Sequence, residues 1–460
     1  TQDYDALLAA NAITGTGNLT KNGTGKLTLE SAITYTGNTV ISDGTLQIGN
    51  GAASGNAHLH QVDNRGILAL ASADRVTIDR IEGKGALHQK GSGTTTLLND
   101  NTYTGGTTVT AGTLQLGDGG SMGSIIGNVD IQANGTLAIW RNAAVVLGNR
   151  LTGSGLITTD TAGQAFDLAT GVGNAFSGML AVGNGTFWLD GVNTTELSNA
   201  TLRAGVGSTV TVGTGLQTIG GLAFDGGTLK FDIGTPGDTV AKSTIHTTKE
   251  MNLLGSGTVE VNIGSIDNNP VPVNPVLPIM EQDDVNTLLQ LAVSNVAVQG
   301  NGGNMVLKDQ HGNIITNETT ADIAQNGMTV AKGIYDYRLT SGVNNDGLYV
   351  GYGLTQVELL GSGADALSLY ATNKTGPAAD LSANITGSGD LAIDTGAGNT
   401  VTLSNLDNDY TGSTNVRSGT LQMLNDNVLG QTSLLSLAAD TSFDMNGHNQ
   451  TIGELKGDTG

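Results

Sequence analysis

Few side chains in this sequence are spaced for chemistry. His58 and His60 flank a single residue, and alternate residues of a strand share a face, so the pair offers two nitrogen ligands along one strand edge. Zinc needs at least a third ligand. The neighbouring residues supply none, and the pair reads as solvated histidines, with His88, His246, His311 and His448 scattered singly. Gly117-Asp118-Gly119-Gly120-Ser121 has the outline of a serine nucleophile loop, but Gly119 fills the nucleophile position and no His and Asp partners are placed for a triad. A chain corner is the simpler reading. Cleavage of a glycosidic bond would need two carboxylates held across it. Asp79, Asp100, Asp167, Asp190, Asp225, Asp232 and Asp394 are available, yet no closely spaced pair recurs. The Gly-Gly-x-Gly-x-Asp calcium nonapeptide is absent as a repeat. Lys456-Gly457-Asp458 has the form of an integrin-type tripeptide and reads instead as the start of a repeat. No catalytic residue, metal or cofactor is therefore expected.

The elements that carry these residues are repetitive. Tyr-Thr-Gly occurs at Tyr35, Tyr103 and Tyr410, each followed nine residues after the tyrosine by Gly-Thr-Leu-Gln, at Gly44, Gly112 and Gly419. A degenerate copy runs from Phe176-Ser177-Gly178 to Gly185-Thr186-Phe187 with the same offset. A second word, apolar-polar-Gly-x-Gly, precedes each aromatic: Ile13 to Gly17, Ile81 to Gly85, Leu151 to Gly155 and Ile385 to Gly389. Between the words, apolar and polar residues alternate, as in Leu27-Thr28-Leu29, Leu46-Gln47-Ile48 and Leu114-Gln115-Leu116. Such runs, rich in β-branched residues and bounded by Gly or Asn, predict short half-buried strands. They follow one another too closely for crossover helices, so like segments must pair from one coil to the next. The predicted fold is all-β, a right-handed parallel β-helix or solenoid with glycine and asparagine at the bends.

Composition agrees. The 460 residues include 70 glycines and only 4% aromatics, too few large rings for several compact cores. Hydrophobic residues still make up 38%, in alternation, which argues against a disordered glycine-rich chain. The net charge of −22 disfavours nucleic acid and anionic lipid. The absence of cysteine suits a chain exported unfolded through a narrow pore, where an early disulfide would block passage. No apolar run is long enough to span a membrane, and Thr1-Gln2-Asp3-Tyr4 reads as a trimmed mature start.

The run Gly15 to Asn50, through Tyr-Thr-Gly to Gly-Thr-Leu-Gln-Ile-Gly-Asn, resembles the passenger-associated transport repeat of secreted bacterial autotransporter passengers. Gly83 to Asp118 is similar, with Lys90-Gly91-Ser92-Gly93 set against the Lys-x-Gly-x-Gly segment; the later copies lack that lysine. The resemblance covers roughly residues 1–260 and 353–460, and implies a right-handed parallel β-helix carried out through a C-terminal membrane barrel. The ending Thr451 to Gly457 echoes Thr77 to Gly83, so the chain is expected to stop inside a further repeat, ahead of the barrel. Coils are expected over 1–261 and 353–460, with an inserted loop, hairpin and short-helix excursion over 262–352. There, four of six prolines cluster between Pro270 and Pro278, and residues 281–296 place Val285, Leu288, Leu289 and Ala292 on one helical face.

A resemblance to AIDA-like adhesin and self-associating passengers implies a cell-surface or released protein acting in aggregation, biofilm formation or adhesion. Its partners would be copies of itself on other cells, or a host matrix protein or glycan, met through many weak polar contacts along a rod. This fragment would not itself insert in a membrane. A polysaccharide-degrading β-helix enzyme and a passive stalk are the alternatives. The candidate contact residues lie just before the tyrosines, at Asn99, Asp100 and Asn101 and at Asp407, Asn408 and Asp409, where equivalent corners project polar groups. The tyrosines themselves are expected to pack over the corners rather than form an exposed row for stacking on sugars.

Overall fold

The computed structural model describes residues 3–8, 12–52, 56–234, 239–262, 278–282, 286–316, 318–342, 344–375 and 379–458. The chain is nearly all β, 52% strand against 3% helix, wound as a parallel β-solenoid of about 19 turns. It packs as two units, 1–211 with 218–221, and 212–217 with 222–460. Among the described residues, no helix is long and apolar enough to cross a membrane.

In the first unit the alternation seen in the sequence becomes stacked ladders. Leu59, Ile78, Leu97, Leu116, Ile139, Thr159, Val182 and Ala204 follow one another in register through eight strands, each paired in parallel with the next. All eight are buried. Their spacing, 19 to 23 residues, is the length of one coil. The flanking row, His58, Thr77, Thr96, Gln115, Ala138 and Thr158, keeps the same register and is half-exposed except at Thr96, which is buried. A slip of one residue anywhere would exchange the two rows, which is why the pattern fixes the pairing so strongly.

One spot in the repeat needs a polar group inside. At the glycine-rich bends after Leu19–Lys21 and Ala86–Gln89, a buried side chain caps backbone carbonyls. Lys21, 2% exposed, donates its ammonium to Gly23 O at 2.6 Å and Asp43 O at 3.2 Å. In the next copy the same place is held by Gln89, whose Nε2 donates to Gly91 O at 3.0 Å and Gly93 O at 3.2 Å. The residue equivalent to Lys21 is thus Gln89 and not Lys90, which is exposed. The segment is Gln-x-Gly-x-Gly.

In the second unit, parallel stacking runs through Leu367, Leu391, Thr414, Leu435 and Leu455. The described strands within 262–352 are of two kinds. Asn286–Ser294 pairs in parallel with Val240–Asn252, and Met305–Asp309 with Gly257–Val261, so both continue the coil register. An antiparallel element follows. Thr319–Gln325 and Met328–Thr340 form a hairpin closed by Asn326 and Gly327, both at positive φ (51° and 80°), the two-residue turn that matches strand twist. Met328–Thr340 then pairs antiparallel with Gly347–Leu359. That last strand pairs antiparallel with Asn286–Ser294 and parallel with Asn384–Gly387, returning the chain to its coils.

The helix expected over 281–296 is corrected here. Among the described residues of this stretch, helix is confined to Ile279–Gln282, and Asn286–Ser294 is a strand with Leu289 and Leu291 buried. That strand hydrogen-bonds to a neighbour on each side, and this tertiary pairing outweighs the helical spacing of its apolar residues. Pro270, Pro272, Pro275, Asp283, Asp284 and Val285 lie outside the described residues.

Candidate functional site

The two sequence words stack on each other. The residue after each aromatic donates its amide to the first glycine of the Gly-x-Gly word one coil earlier: Thr36 to Gly15 O, Thr104 to Gly83 O, Ser177 to Gly153 O and Thr411 to Gly387 O, at 2.9–3.0 Å. Those four acceptor glycines have φ between 91° and 110°, a conformation that side chains resist. The glycine of each Tyr-Thr-Gly lies against the second glycine of the word below, so that a Cβ on Gly37 would stand 2.2 Å from Gly17 O and one on Gly178 2.0 Å from Gly155 O.

The tyrosines face inward. Tyr35, Tyr103 and Tyr410 are buried, and each shares a hydrogen bond with the threonine four residues on: Thr39 at 2.5 Å, Thr107 at 2.6 Å, Thr414 at 2.7 Å. Those threonines occupy inward ladder positions where an aliphatic would otherwise stand. In the degenerate copy both hydroxyls are gone together, replaced by Phe176 and Leu180, also buried. A buried hydroxyl without a partner costs more than none at all, so the pair is kept or lost as a unit. Burial raises the phenol pKa of Tyr103 and Tyr410 above its ordinary value.

The corners just before these tyrosines divide. Asn101 and Asn408 point inward. Asn101 Oδ1 accepts from Ile81 N and its Nδ2 donates to Ser124 O; Asn408 Oδ1 accepts from Ile385 N and its Nδ2 donates to Val428 O. Each ties its coil to the coils before and after it, so neither presents a polar group to solvent as the sequence suggested. Asn99 is half-buried, its Nδ2 on Asp79 O. The exposed members are Asp100, Asp407 and Asp409. Asp100 Oδ1 accepts from the Ser124 hydroxyl and from the amides of Gly123 and Ser124, and the Ser124 hydroxyl chiefly holds its carboxyl below the usual range. Asp407 and Asp409 are the carboxylates at their corner most open to a partner.

The other candidates resolve as follows. Gly117-Ser121 is a coil corner, with Gly119 N donating to Trp140 O at 3.0 Å. Leu455–Gly457 is a strand in parallel register with Leu435–Leu437, so Lys456-Gly457-Asp458 does begin a coil segment. His58 and His60 are not alone. Asp79, one coil on, sits between them, its Oδ1 2.7 Å from His58 Nε2 and its Oδ2 2.8 Å from His60 Nδ1. The rings pack 4.4 Å apart, and one ligand atom from each of the three residues lies within 4.8 Å of the others. Sequence proximity could not supply this third group; coil length could, since Asp79 follows His58 by 21 residues.

The sequence matches the passenger-associated-transport-repeat family at residues 19–48, 87–116 and 393–423. The first two matches put Lys21 and Gln89 at the same position, as the carbonyl capping does. The degenerate copy around Phe176 lies outside these matches. The chain is 47% identical over 339 residues to the uncharacterized protein YuaQ of Escherichia coli (strain K12), covering 73% of this chain and 25% of that protein. It is 33% identical over 490 residues to the uncharacterized lipoprotein YdeK of the same organism, covering 97% of this chain and 36% of that protein. It is 29% identical over 245 residues to the adhesin BmaC autotransporter of Brucella suis biovar 1 (strain 1330), covering 51% of this chain and 6% of that protein. The chain thus spans from about a quarter to about a third of the first two relatives. The chain thus carries three passenger-associated transport repeats on its stacked coils, and its similarity to an adhesin autotransporter is that of an autotransporter passenger domain.

Proposed function

We propose that this chain is the adhesive part of a surface-exposed or secreted passenger, joining bacteria to one another or to a host surface protein or glycan, without catalysis. The observation that carries the proposal is the division of the coil. Ladder apolar residues, the repeat tyrosines and the corner asparagines are spent inside, while successive coils set outward polar side chains such as His58, Thr77, Gln115 and Thr158 in parallel register. One such contact is weak. Many of them, repeated in register, bind a periodic or multivalent partner by avidity. Similarity to a protein named an adhesin autotransporter supports the same reading.

The test is display of the chain on a non-aggregating bacterium, scored for clumping and for retention on matrix proteins and glycans, with sedimentation of the purified chain over rising concentration. Concentration-dependent association with clumping supports the self-associating form, and retention on a defined surface supports host adhesion. Cells that neither clump nor stick, with a chain that stays monomeric, would overturn the proposal. Asp407→Lys with Asp409→Lys, which reverses charge on two exposed corner groups, tests whether that corner takes part.

A further inference from the structure

We propose that His58, His60 and Asp79 form a surface site for a transition-metal dication of the Zn2+ class, held by three protein ligands from two successive coils. Two imidazole nitrogens and one carboxylate oxygen are a donor set of the kind zinc sites use, with one coordination position left over. In tetrahedral zinc sites the ligand bonds run about 2.0–2.2 Å, which places ligand atoms roughly 3.3–3.6 Å apart. Here the three candidate atoms already lie within 4.8 Å of one another, so small side-chain rotations complete the site.

The backbone holds this arrangement in place. Leu59, between the two histidines, is fully buried, and Ile78, before Asp79, is its register partner in the same inner ladder. His58 and His60 therefore project from one face, and Asp79 projects beside them from the adjacent strand. Behind Asp79, its carbonyl accepts from the backbone amide and the side chain of Asn99, at 3.1 and 3.0 Å, fixing that strand to the next coil. The three side chains are 45%, 34% and 31% exposed, enough for an ion to enter and for water to take the remaining position.

The present hydrogen bonds show what the ion would replace. His58 Nε2 and His60 Nδ1 both meet the same carboxylate, so in the neutral rings these nitrogens carry the protons. Binding requires each proton to move to the opposite ring nitrogen through solvent, which frees a lone pair at no net change in protonation. A dication then takes the place of two N–H donors against one carboxylate, with formal charge +2 against −1. The net charge of −22 raises the local concentration of cations around the chain. Nitrogen ligands favour Zn2+, Cu2+, Ni2+ and Co2+ over Ca2+ and Mg2+, which want oxygen.

The experiment uses the full chain and Zn2+ chloride. Titration calorimetry is expected to show one saturable equivalent, with affinity at least tenfold weaker in His60→Ala and in Asp79→Asn and unaffected by a large excess of Ca2+. Because a substitution can disturb the coil, the wild-type chain is also treated with diethylpyrocarbonate, and each histidine is followed by peptide mass. Zn2+ should protect His58 and His60 selectively and leave His246 and His311 unchanged. Equal modification of His58 and His60 with and without Zn2+, undiminished binding in both variants, or equal competition by Ca2+ would each overturn the site.

Discussion

The buried tyrosine–threonine pair lends itself to a quantitative test at Tyr103. Its ring is fully buried, and its hydroxyl bonds Thr107 Oγ1 at 2.6 Å on a residue only 4% exposed. Tyr103→Phe removes one hydroxyl and strands the other, and Thr107→Val does the reverse. Each single change should cost roughly 1–3 kcal/mol, the penalty for a buried polar group left unpaired. The double variant removes both groups, as the natural Phe176 and Leu180 pair does, and should cost much less than the sum. The expected coupling is about 1–2 kcal/mol. In a solenoid this loss is felt mainly by the adjoining coils, so the readout must be local. Native-state amide exchange provides it. Thr104 N bonds the preceding coil at Gly83 O and Thr107 N the following coil at Asn128 O. Exchange at these amides should speed about 5- to 100-fold in each single variant, at 1.4 kcal/mol per factor of ten. It should return most of the way in the double. If the double variant exchanges as fast as the two singles combined, the hydroxyls are not paired in solution and the account of this repeat is wrong.

Two further outcomes follow from the same stack. Gly37→Ala drives a Cβ to 2.2 Å from the Gly17 carbonyl oxygen and should cost at least about 1–3 kcal/mol, whereas Gly17→Ala meets no atom within 4 Å and should stay within about 0.5 kcal/mol; exchange at the Thr36 amide, bonded to Gly15 O, distinguishes them. Stability should also fall in alkali. Tyr103 and Tyr410 have phenol pKa values raised by burial, so above the unfolded-state value of about 10 the unfolded chain loses protons that the folded chain keeps. Their contribution is intact below about pH 10 and declines above it by about 1.4 kcal/mol per pH unit for each tyrosine, as urea unfolding across that range would show. Unfolding midpoints that stay flat through that range would contradict it.

How far the sequence can be read depends on which spacing carries the information. Strand period and glycine words are local, and they foretell the ladders and the inward tyrosines; that Tyr-Thr-Gly seats on Gly-x-Gly is seen only once the coils are stacked. Matching by charge sets Lys90 against Lys21, but position sets Gln89 there, one residue earlier. What the bend requires is a long side chain with an N–H donor, and Gln89 serves as well as Lys21. The corner polar triplets were legible as turns but not as divided ones. That Asn101 turns inward while Asp100 stays outside reflects the free amide of Ile81 one coil away, which nothing near Asn101 in sequence announces. Over 281–296, helical spacing and strand alternation coexist, and the choice is made by partners 47 and 59 residues distant, Ile245 with Ala292 and Tyr349 with Gln290. Farther along, the hairpin has a local signal of its own, Asn326-Gly327 between alternating runs.

A parallel solenoid changes what counts as adjacent. Residues one coil apart are neighbours at strand spacing, about 4.8 Å, while residues two apart on one strand share a face. A functional cluster on such a surface is therefore written in two periods at once, one of two residues and one of 19 to 23. His58 and His60 satisfy the first, and Asp79 the second. The outward pair Gln61 and Glu82, 2.9 Å apart, follows the same rule. Because the coil period varies by several residues, the second period is known only once the inner ladder has been aligned. The buried rows thus decide which outward groups meet: a one-residue insertion absorbed at a bend between His60 and Asp79 would leave Leu59 opposite Ile78 and the three side chains together, whereas a one-residue slip of that buried pair would leave all three residues in the chain and separate them on the surface.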